Sequence, residues 1–186
     1  MDFPAHPFWD FALDVYRRPG VSDACLELQE NQQADVNLLL FVCWIGASGR
    51  GRLGADEIGL CIETARPWHD AVVRPLRAVR RTLKGGLGSA PADLTDGLRR
   101  QIQAREIDAE HIEQLMLTAA IPRQPKADMM LPARVGDAGQ NALAYLTKLG
   151  ARVDNPARAS LAKVLSAVFP DVPAAAVQAT LESAAA

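Results

Sequence analysis

Asp10 and Asp14 are separated by one helical turn, the spacing at which two carboxylates can share a cation. On a helix they lie on one face, where like charges four residues apart repel. Arg17 and Arg18 follow and can relieve that repulsion on a solvated face. The chemical alternative joins Asp10 and Asp14 to Asp35, Asn37 and Trp44 across a helix pair, as a polar cluster for a cation or a polar ligand. Paired carboxylates can hold magnesium diphosphate through oxygen ligands. One such pair is present, and a second acid-rich helical motif is missing.

Gly49-Arg50-Gly51-Arg52-Leu53-Gly54 matches GxGxxG after an apolar run and before a helix. In a dinucleotide fold those glycines let a pyrophosphate approach a helix N-terminus, but that fold needs a series of parallel strands. No strand series follows here, so the segment reads as an interhelical turn. A weaker variant keeps Arg50 and Arg52 as holders of a phosphate or carboxylate on a helical fold. His6, His69 and His111 form no metal motif, with neither HExxH nor ExxH present. His69, between Trp68 and Asp70, reads as a structural or surface histidine, and neither metal nor cofactor is expected. No GxSxG or Walker sequence occurs.

Arg74, Arg77, Arg81 and Lys84 fall at i, i+3, i+7 and i+10, with Arg80 widening the stripe. Such a stripe can contact phosphates, RNA or an acidic helix. The acidic set Glu106, Asp108, Glu110 and Glu113 stands on the next long helix. An antiparallel hairpin would pair the two intramolecularly, which leaves nucleic acid as the less favoured partner.

These groups must be positioned by helices. Phe8, Phe11, Ala12, Val15 and Tyr16 recur with helical period, and Pro7 suits a first turn. Asp35 can cap a helix over 36–47 that is apolar almost all round, which places it at the centre of a bundle. Pro67 and Pro75 predict a break and a kink in the helical text that follows. Val72, Val73, Leu76, Val79 and Leu83 mark its core face. A long helix over 91–120 carries Leu94, Leu98, Ile102, Ala109, Ile112, Met116 and Ala120 along one side. A Pro-rich loop over 121–135 precedes shorter helices from Asp137 onward. Eight of the ten aromatics lie within the first 68 residues, so the aromatic core belongs to the N-terminal helices.

With 186 residues, 49% hydrophobic and 23% charged, the chain has the composition of a globular domain and not of a disordered one. A net charge of −2 supplies no global field for nucleic acid or an anionic membrane. Cys25, Cys43 and Cys61 are odd in number and lack a CxxC, so buried, reduced thiols are expected. The longest apolar run, Leu38 to Ile45, is eight residues, against about 20 for a membrane span. No signal peptide is read at the N-terminus, and a soluble, cytoplasmic protein is expected.

The run Phe8-Trp9-Asp10-Phe11-Ala12-Leu13-Asp14-Val15-Tyr16, with Asp35-Val36-Asn37-Leu38-Leu39-Leu40-Phe41, Cys43-Trp44 and Gly46, carries a resemblance. Pro19-Gly20-Val21, Leu26-Glu27-Leu28-Gln29 and the basic text from Val73 to Lys84 fit it too. The sequence resembles a proteobacterial family of about this length, catalogued as a domain of unknown function. That resemblance implies a small all-helical cytoplasmic protein and carries over no catalytic residue.

The expected fold is therefore an all-α single-domain bundle of about seven or eight helices around 36–47. Residues 1–120 form its core, 121–135 a loop, and 136–186 an Ala-rich part packed on that core. An interaction or regulatory module without its own catalysis is the leading functional reading, with a protein partner or a second copy of the chain left open. A small-ligand site or enzyme near Asp10, Asp14, Asp35, Asn37 and the Gly46–Gly54 loop is the second. It predicts a pocket between the first, third and fourth helices with shifted carboxylate pKa values. Nucleic-acid contact through residues 74–84 is the third.

Overall fold

The computed structural model describes residues 3–183; Met1, Asp2 and the last three residues of the Ala-rich tail lie outside it. The described residues are all-α, with no strand among them. The elements are α1 (Pro7–Tyr16), α2 (Val21–Gln32), α3 (Val36–Ala47), α4 (Ala55–Trp68), α5 (Arg74–Lys84), α6 (Ala92–Ala120), α7 (Leu131–Lys148), α8 (Asn155–Val168) and α9 (Ala174–Ser183). A π-helical turn over His69–Val73 joins α4 to α5 without a break, so the nine helices among the described residues form eight separate rods.

The centre is α3. Asp35 is its N-cap, with backbone in the extended region and Oδ1 accepting from the Asn37 N–H at 2.8 Å and the Leu38 N–H at 3.4 Å. Capping satisfies donors that the first turn leaves without carbonyl partners. Every residue from Asn37 to Gly46 is buried. The helix packs principally on α7, and also on α1 and α6. Gly46 sits at the α3–α7 crossing, where a Cβ would lie 2.2 Å from the Ala138 backbone nitrogen. Only a hydrogen at that position lets the two backbones meet.

One apolar cluster runs from Phe8 to Leu181 and includes Ala138, Ala142, Tyr145 and Leu146 of α7. Phe8, Phe41 and Trp44 form its aromatic part, with ring centroids 5.2–5.9 Å apart. Tyr145, distant in sequence from the other aromatics, is also fully buried. Helix α7 begins at Leu131 rather than near Asp137, because Pro132 stands in its first turn, where a missing N–H costs nothing. The Pro-rich connection is correspondingly shorter, 121–130.

The chain passes through Pro67 helically and then widens. The Arg74 N–H bonds to the His69 carbonyl five residues back, the pattern of a π turn. The Trp68 indole N–H donates to the Ala109 carbonyl at 2.9 Å and ties this turn to α6. Of the apolar residues expected to face the core from here to Leu83, Val73 is buried, whereas Val79 is 46% exposed. No residue of α5 is buried, and its arginine edge rests on α6. Leu94 and Leu98 are likewise exposed, because the first half of α6 extends beyond the bundle beside α5. The buried side chains of α6 include Glu106, Glu113 and Gln114, a polar face turned inward.

Candidate functional site

Three helical segments bring one side chain each to a single point. Asp35 caps α3, His69 opens the π turn, and Glu113 lies on the inward face of α6. Asp35 Oδ2, His69 Nδ1 and a Glu113 carboxylate oxygen all lie within 4.8 Å of one another. His69 Nδ1 is 3.2 Å from Glu113 Oε1 and 3.2 Å from Asp35 Oδ2. One ring N–H serves the first, and Asp35 Oδ2 is left buried without a hydrogen-bond partner.

The surrounding polar groups fix these carboxylates. Asn37 Nδ2 donates to Glu113 Oε2 at 2.7 Å, and Gln114 Nε2 donates to Asn37 Oδ1 at 2.9 Å. The Asp35 N–H donates to the Tyr145 hydroxyl at 2.8 Å. The Glu113 side chain has no exposure, and that of Asp35 is 12% exposed. Burial, reinforced by the neighbouring Glu113 charge and only partly offset by His69, lifts the Asp35 carboxyl to about 7. Burial alone would lower His69, but its Glu113 hydrogen bond and the Asp35 charge outweigh that and raise it. Burial, helped by Asp35, holds the Tyr145 phenol well above its usual range. A carboxyl whose protonated form is favoured, touching an imidazole whose protonated form is favoured, can exchange a proton with it.

Asp35, His69 and Tyr145 form part of the wall of a cleft of about 750 Å³, and Glu113 stands behind them. Arg66, Arg74, Arg77, Arg81 and Arg152 line the same cleft, against the acids Asp35 and Asp70. It opens between the end of α2, α4, α5 and the end of α7, with α1 taking no part. Arg77 also clamps α5 to its neighbours: its Nε donates to Glu106 Oε1 at 3.0 Å, its Nη2 to Glu110 at 2.5 Å, and its Nη1 to Gln29. Arg80 joins Glu106 as well. The basic stripe and the acidic helix therefore meet within the hairpin. Arg74 pairs with exposed Asp70, Arg81 reaches Glu30 at 3.9 Å, and Lys84 is exposed.

Other sequence-derived residues lie elsewhere. Asp10 and Asp14 are on the exposed side of α1, where Asp14 accepts from Arg18 at 2.6 Å. Trp44 is in the core, with the Arg50 guanidinium 4.0 Å over its ring. Arg52 is exposed. The Gly46–Gly54 loop is held by protein groups: Asn141 Nδ2 donates to the Gly51 carbonyl, Arg123 donates to the Arg50 and Arg52 carbonyls, and the Lys126 N–H donates to the Gly49 carbonyl. Its glycines serve a tight turn, with Gly49 and Gly51 at φ 77° and 93°. His111 is stacked between Trp9 and Phe3, remote from the Asp35 cluster in its contacts.

Sequence reasoning selected Asp35 and Asn37 but not their partners. Glu113 stood in an acidic row assigned to charge pairing, and His69 read as structural. Tyr145, Gln114, Arg66 and Arg152 carried no motif. The available signal was the helical spacing of Glu106, Glu110, Glu113, Gln114 and Leu117, which puts four polar residues on the same face as a core leucine.

No curated protein and no solved structure matches the chain. The model of a family described as a protein of unknown function, DUF2390, matches residues 7–117. That stretch contains Asp35, His69 and Glu113, whereas Tyr145 lies beyond it. The match spans more than half of the sequence, and the chain belongs to the DUF2390 family.

Proposed function

We propose that this protein binds a small anionic molecule in the arginine-lined cleft, with Asp35 and His69 at the cleft wall. The observation that carries the reading is that five arginines line one concave space: Arg74, Arg77 and Arg81 are paired with Asp70, with Glu106 and Glu110, and with Glu30, whereas Arg66 and Arg152 have no ion-pair partner among the described residues. A volume of about 750 Å³ falls in the usual range for small-molecule sites. Guanidinium groups favour phosphates and carboxylates because their donors match two oxygens at once. Gln29, Gln32 and Gln33 add neutral polar groups to the lining. The ligand is accordingly a phosphorylated or polycarboxylate compound. This develops the small-ligand reading but keeps, of its residues, Asp35 alone in the cleft wall, without Asp10, Asp14, Asn37, Trp44, Arg50 or Arg52.

Calorimetric titration of metal-free protein with pyrophosphate, and with a panel of sugar phosphates and polycarboxylates, tests it. Binding should weaken at least about 10-fold in an Arg74→Ala/Arg152→Ala double variant. Equal affinity in that variant, or no binding across the panel, refutes the reading. A cytoplasmic setting is part of the proposal, supported by three free, buried cysteines.

A second reading, docking of a protein partner or a second copy of the chain, is supported by the apolar exposure of the α5–α6 hairpin. Val79, Leu87, Leu94 and Leu98 are 46–72% exposed there. Light scattering of the intact protein and of Leu94→Asp/Leu98→Asp tests self-association. Nucleic-acid contact is less well supported, because Arg77 and Arg80 are engaged with Glu106 and Glu110.

A further inference from the structure

Asp35, His69 and Glu113 are arranged as ligands whose convergence hydrogen bonding leaves incomplete. Each carboxylate spends one oxygen on a fixed donor: Asp35 Oδ1 on the first turn of α3, Glu113 Oε2 on the Asn37 amide. The other two oxygens and His69 Nδ1 lie within 4.8 Å of one another. A protonated imidazole can neutralise one of two carboxylates, and Asp35 Oδ2 is buried without a hydrogen bond. Arg77, whose charge acts on His69, directs its donors to Glu106, Glu110 and Gln29 instead. Once Asp35 loses its proton, a net negative charge sits at the deep end of a cleft rimmed by arginines. Burying such a charge is costly unless a counter-charge joins it.

We infer that Asp35 Oδ2, His69 Nδ1 and a Glu113 carboxylate oxygen form a binding site for one divalent transition-metal ion, of the Mn²⁺ or Zn²⁺ type. One imidazole with two carboxylates suits Mn²⁺ or Zn²⁺, which accept mixed nitrogen and oxygen ligands, better than Ca²⁺ or Mg²⁺, which take oxygen. His69 Nδ1 lies 3.2 Å from each of the two oxygens, a separation that fits bonds of about 2.0–2.2 Å to a shared ion. Three protein ligands leave coordination positions free, as in open metal sites. Those positions face the cleft, because Asp35 and His69 line it and Glu113 closes the back. The donors from Asn37 and from the α3 turn hold the carboxylates as outer-sphere groups do. The ion would rest against the arginine rim, so that an anion bound there could supply it with an oxygen ligand. The anion's part in this arrangement rests on the cleft reading above; the ion site itself does not.

The test uses full-length protein stripped with chelator and desalted, then titrated with Mn²⁺ while the free-ion paramagnetic resonance signal is followed. Zn²⁺ is scored by competition, with Ca²⁺ and Mg²⁺ as oxygen-seeking controls. One equivalent should bind per chain. Affinity should fall at least about 10-fold in Asp35→Asn, His69→Gln and Glu113→Gln. Asp35→Asn keeps the helix cap and a matched shape, so its fold, checked by thermal unfolding, keeps the test interpretable if Glu113→Gln does not fold. Absent uptake, uptake undiminished in Asp35→Asn, or a preference for Ca²⁺ or Mg²⁺ overturns the inference. Pyrophosphate binding to metal-free protein separates the two readings. If it persists without Mn²⁺ uptake, the ion site falls and the cleft stands; Mn²⁺ uptake without any anion binding means that the cleft reading falls and the ion site stands.

Discussion

Replacing Asp35 with asparagine should make the metal-free protein more stable at neutral pH. Asparagine caps helices as well as aspartate does, so the bonds from the first turn of α3 survive. Its Nδ2, in place of the orphaned Oδ2, can donate to Glu113. The carboxyl is carried from an ordinary 3.8 to about 7 by burial first and the Glu113 charge second. The groups facing it are Glu113 and Glu110 from α6, His69 from the π turn, Arg77 from α5 and Tyr145 from α7. Between those two pH values the folded chain holds a proton that the unfolded chain has lost, so stability falls as pH rises through this window. His69 acts in the same direction: its raised folded pKa gives stability that is present below 6.5 and lost as pH climbs through the folded value. Three pH units correspond to about 4 kcal/mol as an upper bound. Local relaxation and water entry from the cleft reduce this to about 2 kcal/mol at pH 8. Thermal unfolding in chelator at pH 4 and pH 8 measures it. The two proteins should coincide at pH 4, and Asp35→Asn should gain about 4–8 °C in Tm at pH 8. A variant less stable than the parent at pH 8, with the same pH slope, refutes the account of a strained carboxylate cluster.

Gly46→Ala should lower stability by about 3 kcal/mol or more, because its Cβ meets the Ala138 backbone at 2.2 Å and α3 must move off α7; chemical denaturation checks it. Asn141→Ala removes the partners of the Leu53 N–H and the Val42 and Gly51 carbonyls, all buried, and should cost about 3 kcal/mol. Arg77→Ala leaves Glu110 without its guanidinium and Glu106 with Arg80 alone, for a loss of about 2–4 kcal/mol in urea. Burial would raise Glu106, but its bonds to Arg80 and Arg77 outweigh that and hold it below 4.5. Its contribution is full above 4.5 and disappears as pH falls through the lower, folded value, so Glu106→Gln should flatten the acid limb of a stability–pH curve.

Much of the fold follows from short-range pattern. Asp35 before a run with Asn37 as its one polar residue among ten specified a capped, buried helix, and α3 is that helix. The facing charges of 74–84 and 106–113 specified a hairpin, and Arg77, Arg80, Glu106 and Glu110 close it. The core face of α5 and the first half of α6 were misjudged for one reason. Apolar spacing identifies a face that can be buried, but whether another element covers it depends on where the bundle ends. Leu94 and Leu98 reach past that end.

The sequence by itself determined which segments are helical, that α3 is central, and that Asp35 stands at its first turn. These depend on neighbours within about one or two turns, where periodicity and capping act. Only the tertiary structure decided that His69 and Glu113, 44 residues apart, close on Asp35, and that Tyr145, 110 residues from Asp35, supports it. That convergence depends on how α3, the π turn, α6 and α7 cross. Crossing is set by side-chain packing such as the Gly46–Ala138 contact, which leaves no mark in local spacing. A polar helix face reads as solvated until packing encloses it, and here the enclosed polar face carries the candidate chemistry.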